Sequence, residues 1–180
     1  TDAEKFQHYV IPNYGRFDFW PECGSGVKLW DRDGKEYLDF AGGVAVCPLG
    51  HCHPEVVKAI SDQAAKLIHV SNWYHIAQQG ELARMLVEDV MGIAGKCFFC
   101  NSGGEANEGL FKLARRFGHD EGRFEILTAL NSFHGRTLAG ISATGQDKVQ
   151  KGFEPLVPGF VYAPFNDFAA VEALVTDKTT

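Results

Sequence analysis

The feature that most constrains the fold is an alternation of strand-like and helical segments between residues 97 and 180. A short apolar run at 97–100 precedes a segment, 104–117, whose apolar residues recur at helical spacing. The sequence then predicts buried strands at 124–130 and 160–163 and a short helix at 167–175. This alternation is typical of a mostly parallel sheet. We therefore expect an α/β fold with helices on both faces of the sheet.

The first fifty residues have the pattern of extended structure. Two β-prone runs, 27–30 and 36–40, flank an Asp-Gly pair at Asp33 and Gly34, which supplies turn chemistry between strands. We predict a β-hairpin at this position, within an N-terminal segment that precedes the α/β part.

Helical periodicity begins after His53, with Pro54 near the first turn, where its missing N–H is harmless. Three predicted helices have an apolar stripe along one side, and these stripes are the predicted core faces. Their residues are Val56, Ile60, Ala64 and Leu67; Leu82, Leu86 and Val90; and Ala106, Leu110, Leu113 and Phe117.

Composition excludes several classes of protein. The chain is 45% hydrophobic and 22% charged, with a net charge of −6 and no basic tract, so a nucleic-acid partner is not expected. No run reaches the ~20 apolar residues of a membrane span, and no secretory signal opens the chain. The odd count of five cysteines favours reduced thiols and a cytoplasmic location.

A glycine-rich turn at residues 98–108 (FFCNSGGEANE) links an apolar run to a helix. The first turn of a helix has free N–H groups and a partial positive charge, which suit a phosphate approached through glycines. The alternative is purely structural, because Ser102 and Glu105 also fit a capping box that needs no ligand. The spacing matches neither a dinucleotide turn nor a Walker loop.

A second candidate segment, residues 131–137 (NSFHGRT), follows a predicted strand at the sheet edge where α/β proteins bind ligands. Phe133 is suited to stacking on a flat ring, and the Arg136 guanidinium to a carboxylate. Each residue also has an ordinary alternative, a core aromatic and a surface ion pair.

Two cysteine patterns favour structural roles. A group that resembles a zinc site lacks paired metal-ligand spacings, so we expect no metal; its members are Cys47, His51, Cys52 and His53. Cys97 and Cys100 have redox spacing, but on a strand they would face opposite sides, which favours buried thiols.

Taken in order, these segments resemble the class III, fold-type I aminotransferases that use pyridoxal phosphate, and within them the acetylornithine group. The resemblance runs through GSGVKLWDRDGKEYLDF, LGHCHPEVVKAI, KLIHVSNWYH, FFCNSGGEANE with KLAR, SFHGRT and SATGQDKVQKGFEPLVPGF. It implies a small-domain segment at residues 1–53 and the first part of the cofactor-binding large domain at 54–180.

The resemblance also implies roles for individual residues. Ser102, Gly103 and Gly104 match the turn that binds the cofactor phosphate, and Phe133, with His134 beside it, matches the aromatic that stacks on the pyridine ring. The residues that match the substrate pocket are Arg136, which binds the α-carboxylate, and Tyr14, which lines the pocket; residues 72–75 match a segment near the substrate entrance.

The chain departs from the family pattern in two respects. Gly104 replaces the usual alanine, which should keep the phosphate site but loosen the start of the helix. No lysine lies in the family's Schiff-base motif, and the aspartate that pairs with the pyridine nitrogen is missing. We therefore expect the N-terminal part of a longer enzyme, with no catalytic residue of its own.

For that enzyme the resemblance implies amino transfer between N-acetylornithine and 2-oxoglutarate, in arginine biosynthesis, by a homodimer. Ornithine, succinylornithine and 4-aminobutyrate aminotransferases share the FxGRT arginine and remain alternatives. A further alternative, from a different class, is a truncated module that binds a phosphorylated ligand without catalysis.

Overall fold

The structure is a computed structural model that describes all 180 residues. The chain forms two compact units, Thr1–His75 and Ile76–Thr180. The predicted domain boundary after residue 53 stays a prediction. No helix is both long enough and apolar enough to cross a membrane.

The first unit contains a three-stranded antiparallel sheet in the order β1-β2-β3. Its elements are α1 (Asp2–Tyr9), β1 (Pro21–Ser25), β2 (Lys28–Asp31), β3 (Glu36–Leu38), α2 (Gly42–Ala45) and α3 (Pro54–Ala64). The predicted β-hairpin is confirmed as β2 and β3, with Lys28 opposite Leu38. The predicted helix that begins at Pro54 is confirmed as α3.

Asp31 organises the turn of this hairpin. Its carboxylate accepts hydrogen bonds from the backbone N–H groups of Asp33 (3.0 Å) and Lys35 (2.9 Å) and from the Tyr37 hydroxyl (2.8 Å). These donors favour the charged carboxylate, and the Tyr37 hydroxyl makes the largest contribution to lowering the pKa of Asp31. One aspartate therefore closes the turn and links it to β3.

The expectation of extended structure at the N-terminus is wrong for residues 2–9, which form α1. The physical reason is a complete capping box, in which the Glu4 N–H donates to the Thr1 hydroxyl and the Glu4 carboxylate bonds back to Thr1. These polar cap residues begin a helix that hydrophobic periodicity alone does not indicate.

The second unit is α/β. It contains α4 (Ala77–Arg84), a π-helical segment (Met85–Met91), α5 (Gly103–Gly118), a 3₁₀ turn (His119–Glu121), β4 (Ile126–Ala129), α6 (Leu138–Ala143), α7 (Asp147–Gln150), β5 (Phe160–Ala163) and α8 (Phe168–Leu174). Strands β4 and β5 pair in parallel, from Ile126 opposite Phe160 to Ala129 opposite Ala163. The predicted strands at 124–130 and 160–163 form as the shorter β4 and β5, in which only Thr128 and Ala163 are buried, and the predicted helices at 104–117 and 167–175 form as α5 and α8. The sequence indicated neither α6 nor α7, which lie between the two strands.

The predicted strand at residues 97–100 does not form, since this segment pairs with no other strand. The Phe98 ring is 71% exposed and lies beside α5, where a Cβ atom on Gly109 would be 3.0 Å from it. A strand needs a neighbour for its N–H and C=O groups, and the sheet of this unit ends at β4 and β5.

The predicted core stripes lie mostly on helices, except that Leu67 lies beyond the end of α3, and most of their large side chains are exposed. On α5, Leu110, Leu113 and Phe117 are each at least 60% exposed, while the buried residue is Phe111, which was not on the predicted stripe. The stripe residues Val56, Ile60, Leu67, Leu82 and Val90 are exposed as well. Periodicity predicted the helices correctly but not which face packs, because Phe111 faces Phe160 of β5, with ring centroids 5.0 Å apart.

Candidate functional site

The glycine-rich turn is the N-terminus of α5. Ser102 is the N-cap in extended conformation, and its hydroxyl accepts a hydrogen bond from the Glu105 N–H at 3.2 Å. The Glu105 side chain does not make the return contact of the predicted capping box. Its carboxylate instead accepts hydrogen bonds from the backbone N–H of Asn101 at 2.7 Å and from the Asn101 side-chain amide at 3.0 Å. The turn is thus closed on both sides by residues next to it in sequence.

Gly103 and Gly104 form the first turn of this helix. Their N–H groups precede the first possible i−4 acceptor within the helix, so they are free to bind a ligand. A Cβ atom on Gly103 would have no neighbour within 4 Å, so the approach to this turn is open. A sixteen-residue helix also places the positive end of its dipole here.

The second segment, residues 131–137, leaves β4 and leads into α6. Asn131 adopts a positive φ of 60°, and its N–H donates to the Gly145 carbonyl at 2.8 Å. Ser132 and His134 contact each other, with Ser132 Oγ 3.3 Å from His134 Nδ1. Thr137 caps α6 by accepting from the Gly140 N–H at 3.0 Å. The loop is therefore anchored at both of its ends.

The two segments meet at Gly104 and Gly135. A Cβ atom on Gly135 would lie 2.9 Å from the Cα of Gly104, and Gly135 adopts a φ of +112° that side chains disfavour. The Asn107 amide of α5 also donates to the His134 carbonyl at 3.0 Å. The structure thus brings the predicted phosphate turn and the predicted ring-stacking loop side by side.

Phe133 and Arg136 are both exposed on this loop, and the Phe133 ring is 60% exposed. The Arg136 guanidinium carbon lies 5.3 Å from the centroid of the Phe133 ring, within range of a cation–π interaction. Arg136 has no carboxylate partner in an ion pair. The ordinary alternatives, a core phenylalanine and a surface ion pair, therefore do not describe these residues in this structure.

This arrangement agrees with the comparisons to known proteins. The class-III aminotransferase family matches residues 9–179, nearly the whole chain. The chain belongs to this family. The acetylornithine aminotransferase of Synechocystis sp. is 54% identical over 176 residues, and that of Nostoc sp. is 52% identical over 178 residues. Each alignment includes at least 96% of this chain but 41% of the relative, so the chain spans under half the length of these relatives.

Solved structures show the same aminotransferase fold. The ornithine aminotransferase of Toxoplasma gondii superposes with a TM-score of 0.88 at 28% identity, covering 96% of this chain and 41% of that one. A second structure of the Toxoplasma enzyme, with a TM-score of 0.87, has partial occupancy of PLP at its active site. An engineered ω-transaminase from Pseudomonas jessenii has a TM-score of 0.80 at 27% identity and covers 89% of this chain and 38% of its own.

Two predicted site regions of this class-III aminotransferase chain belong to the first compact unit. Tyr14 lies in the irregular segment between α1 and β1 and is 62% exposed. Residues 72–75 form a turn that precedes α4 and follows Ser71, whose φ is +64°. The other site residues lie in the second unit, so the structure does not test the predicted role of either region.

His51, one member of the histidine and cysteine group in the first unit, has a structural role. His51 Nε2 lies 2.7 Å from Asp39 Oδ2, and this hydrogen bond is the main cause that lowers the pKa of Asp39. The backbone of His51 also pairs with Gly26 next to the sheet. No group of three or more potential ligands is arranged to bind a metal ion, and all five cysteines are free. The expectation that Cys97 and Cys100 are buried is wrong, because Cys97 is half-buried and Cys100 is exposed on a segment that joins no sheet.

The sequence analysis missed three side chains that hold the loop of Phe133: Asn107, Thr144 and Gln146. Asn107 lies in the FFCNSGGEANE motif, and the other two lie in SATGQ, which contributed to the family resemblance without a role for either residue. The available signal was their chemistry, because polar side chains need hydrogen-bond partners when they are buried. That signal does not say which loop the partner belongs to.

Proposed function

We propose that this chain is the N-terminal part of a pyridoxal-phosphate-dependent aminotransferase that transfers an amino group between N-acetylornithine and 2-oxoglutarate. The observation that supports the proposal is the contact between the α5 turn and the Phe133 loop, the two segments to which the proposal assigns the phosphate, ring and carboxylate contacts. The acetylornithine assignment is supported by the 54% and 52% identical relatives of that name.

The N-terminus of α5 fits the phosphate of the cofactor. The Gly103 and Gly104 N–H groups, the Ser102 hydroxyl and the helix dipole all favour an anion, and no side chain obstructs the turn at Gly103. Glu105 would oppose an anion, but its carboxylate is already engaged by two donors from Asn101. In this proposal Ser102, Gly103 and Gly104 bind the phosphate.

Phe133 and His134 would contact the pyridine ring, and Arg136 would bind the substrate carboxylate. The exposed Phe133 ring offers an apolar face for stacking, and the planar guanidinium of Arg136 offers two parallel donors to a carboxylate. Tyr14 is proposed to line the same substrate pocket. When bound, pyridoxal phosphate supplies an electron sink for bonds at the carbon that bears the amino group.

The residues of this chain therefore bind and orient. Arg136 would fix the carboxylate, and Phe133 would fix the plane of the ring, so that the reacting carbon has one orientation. The proposal assigns no proton-transfer base to this chain, because none of its lysines matches the family's Schiff-base motif.

A donor panel tests the proposal. The full-length protein that contains this chain, loaded with pyridoxal phosphate, should react with N-acetylornithine at a higher kcat/KM than with ornithine, succinylornithine or 4-aminobutyrate. A preference for free ornithine would mean that ornithine, and not N-acetylornithine, is the amino donor. That result would agree with the fold shared with the Toxoplasma ornithine aminotransferase. Failure to bind pyridoxal phosphate at all would overturn the proposal.

Three further properties belong to this proposal. The first is a large cofactor-binding domain that begins near Pro54, which limited proteolysis would locate. The second is a homodimer, for which light scattering on the full-length protein should give twice the subunit mass. The third is a role in arginine biosynthesis in the cytoplasm. A deletion strain that requires arginine would support this role. The five free cysteines agree with a reducing compartment.

A further inference from the structure

The peptide groups on either side of Phe133 are both fixed by side chains from the segment that follows α6. The Ser132 carbonyl, which precedes Phe133, accepts a hydrogen bond from the Gln146 amide at 2.8 Å. The His134 N–H, which follows Phe133, donates to the Thr144 hydroxyl at 3.0 Å. These two bonds restrict rotation on both sides of the Phe133 Cα, and so they set the direction of its Cα–Cβ bond.

The Phe133 ring has little packing of its own to hold it. It is 60% exposed, and its one recorded ring contact is the Arg136 guanidinium. The direction of the Cα–Cβ bond therefore limits the positions that the ring can reach, whereas the ring of a core aromatic is also held by its packed neighbours.

Thr144 is a rigid anchor for this backbone. It is fully buried, and its hydroxyl donates to the Gly140 carbonyl of α6 at 2.8 Å while it accepts from His134. Its own carbonyl accepts from the Gln150 amide at 2.8 Å. Gln146 is half-buried and reaches the loop through a single amide. The anchor is thus part of the packed unit, whereas Gln146 is a removable link to it.

We propose that Gln146 and Thr144 are positioning residues that set the orientation of the Phe133 ring for stacking. This inference rests on the proposed function, in which Phe133 contacts the cofactor ring. Neither Gln146 nor Thr144 contacts the cofactor in this proposal. Their effect is preorganisation, because a ring already held in the stacking orientation loses less conformational freedom when the cofactor binds.

The test compares Gln146→Met with Gln150→Met in the full-length protein. Both changes replace an amide side chain with an apolar side chain of similar length. The Gln150 amide contacts Thr144 and Tyr162 and does not contact residues 131–137. A 4-fluorophenylalanine label at position 133 reports the environment of the ring by ¹⁹F NMR without any cofactor. Equilibrium binding of pyridoxal phosphate and its visible circular dichroism give two further measurements.

We expect Gln146→Met to shift or broaden the ¹⁹F resonance of the cofactor-free protein and to raise the cofactor Kd by about twofold to tenfold, the range of one lost hydrogen bond. The circular dichroism band of the bound cofactor should change as well. Gln150→Met removes a donor to the Thr144 carbonyl, one contact further from Phe133, so it should change the resonance and the Kd less than Gln146→Met does. Equal effects of the two variants, or no effect of Gln146→Met on the resonance, would overturn the inference.

The same label separates this inference from the proposed function. If pyridoxal phosphate does not move the wild-type resonance, Phe133 is not at the cofactor and the proposed role of Phe133 fails. The comparison of the two glutamine variants in the cofactor-free protein still decides whether Gln146 orients the ring.

Thr144 gives a second comparison. Thr144→Ser retains the hydroxyl and should keep the wild-type resonance, whereas Thr144→Val removes it and should shift the resonance. A Thr144→Ser resonance displaced as far as that of Thr144→Val would contradict the role of the hydroxyl. If Thr144→Val does not fold, Gln146→Met still decides the question.

Discussion

The two halves of the candidate site are built by different kinds of contact. The phosphate turn is closed by hydrogen bonds between residues three or four apart, from Glu105 to Ser102 and from Asn101 to Glu105. The loop of Phe133 is held by partners 10, 14 and 27 residues away, which are Thr144, Gln146 and Asn107. A short sequence motif is enough to predict a locally bonded turn. A loop whose partners are distant in sequence depends on how the surrounding unit packs.

The most severe break in this arrangement should come from the contact that joins the two halves. Gly135→Ala would force a Cβ atom to within 2.9 Å of the Gly104 Cα at a φ of +112°. We expect the free energy of unfolding to fall by about 3 kcal/mol, measured by urea denaturation of the full-length protein. Gly103→Ala is the control, since its Cβ has open space. Equal losses of unfolding free energy in the two variants would mean that the close approach of the two segments does not contribute to stability.

The loop should next be tested for function, at Arg136. Arg136→Ala should raise the KM for carboxylate-bearing donors by about 30-fold, the size of a lost charge-assisted hydrogen bond, and change the cofactor Kd by less than about threefold. Arg116→Ala, at an exposed position near the end of α5, is the control and should leave both constants unchanged. Unaltered kinetics in Arg136→Ala would remove this arginine from the site.

The local half should respond to loss of its cap. Ser102→Ala should lower the free energy of unfolding by about 1 kcal/mol and also weaken cofactor binding, because the same hydroxyl lies at the proposed phosphate site. Asp167→Ala removes an equivalent cap from α8, where Asp167 accepts from the Ala170 N–H at 3.0 Å. It should cost similar stability without changing the cofactor Kd, as thermal melts and a binding titration would show. The phosphate assignment fails if the two variants bind cofactor equally well.

The smallest effect should be a gain. Gly104→Ala places a Cβ atom 3.7 Å from Ser102 Oγ and 3.9 Å from Thr137, which are ordinary contacts, so the helix should gain about 0.5–1 kcal/mol. Gly109→Ala in the same helix places its Cβ 3.0 Å from the Phe98 ring and should gain less. A loss of stability in Gly104→Ala, measured by urea denaturation, would show that the close approach of Gly135 needs a glycine on both sides.

What the sequence predicts follows the same division. The Asp33-Gly34 hairpin, the helix after Pro54 and strand β5 depend on local turn chemistry or periodicity, and they form where expected. The α5 stripe of Leu110, Leu113 and Phe117 is helical as predicted, but it is exposed, because burial depends on what packs against a helix. Of the site, the sequence indicated Ser102 to Gly104 as an anion site by local reasoning. The hydrogen bonds from His134 to Thr144 and from Gln146 to Ser132, on either side of Phe133, cross α6, which no local pattern predicted.

The distant anchoring of Phe133 has a consequence for biosynthesis. As a chain leaves the ribosome from its N-terminus, the α5 turn has all its partners once residues 101–118 have emerged. The Phe133 loop emerges before Thr144 and Gln146, so its peptide groups stay hydrated until these two residues follow. The hydrogen-bond partners of the phosphate turn therefore become available to the nascent chain before those of the stacking surface.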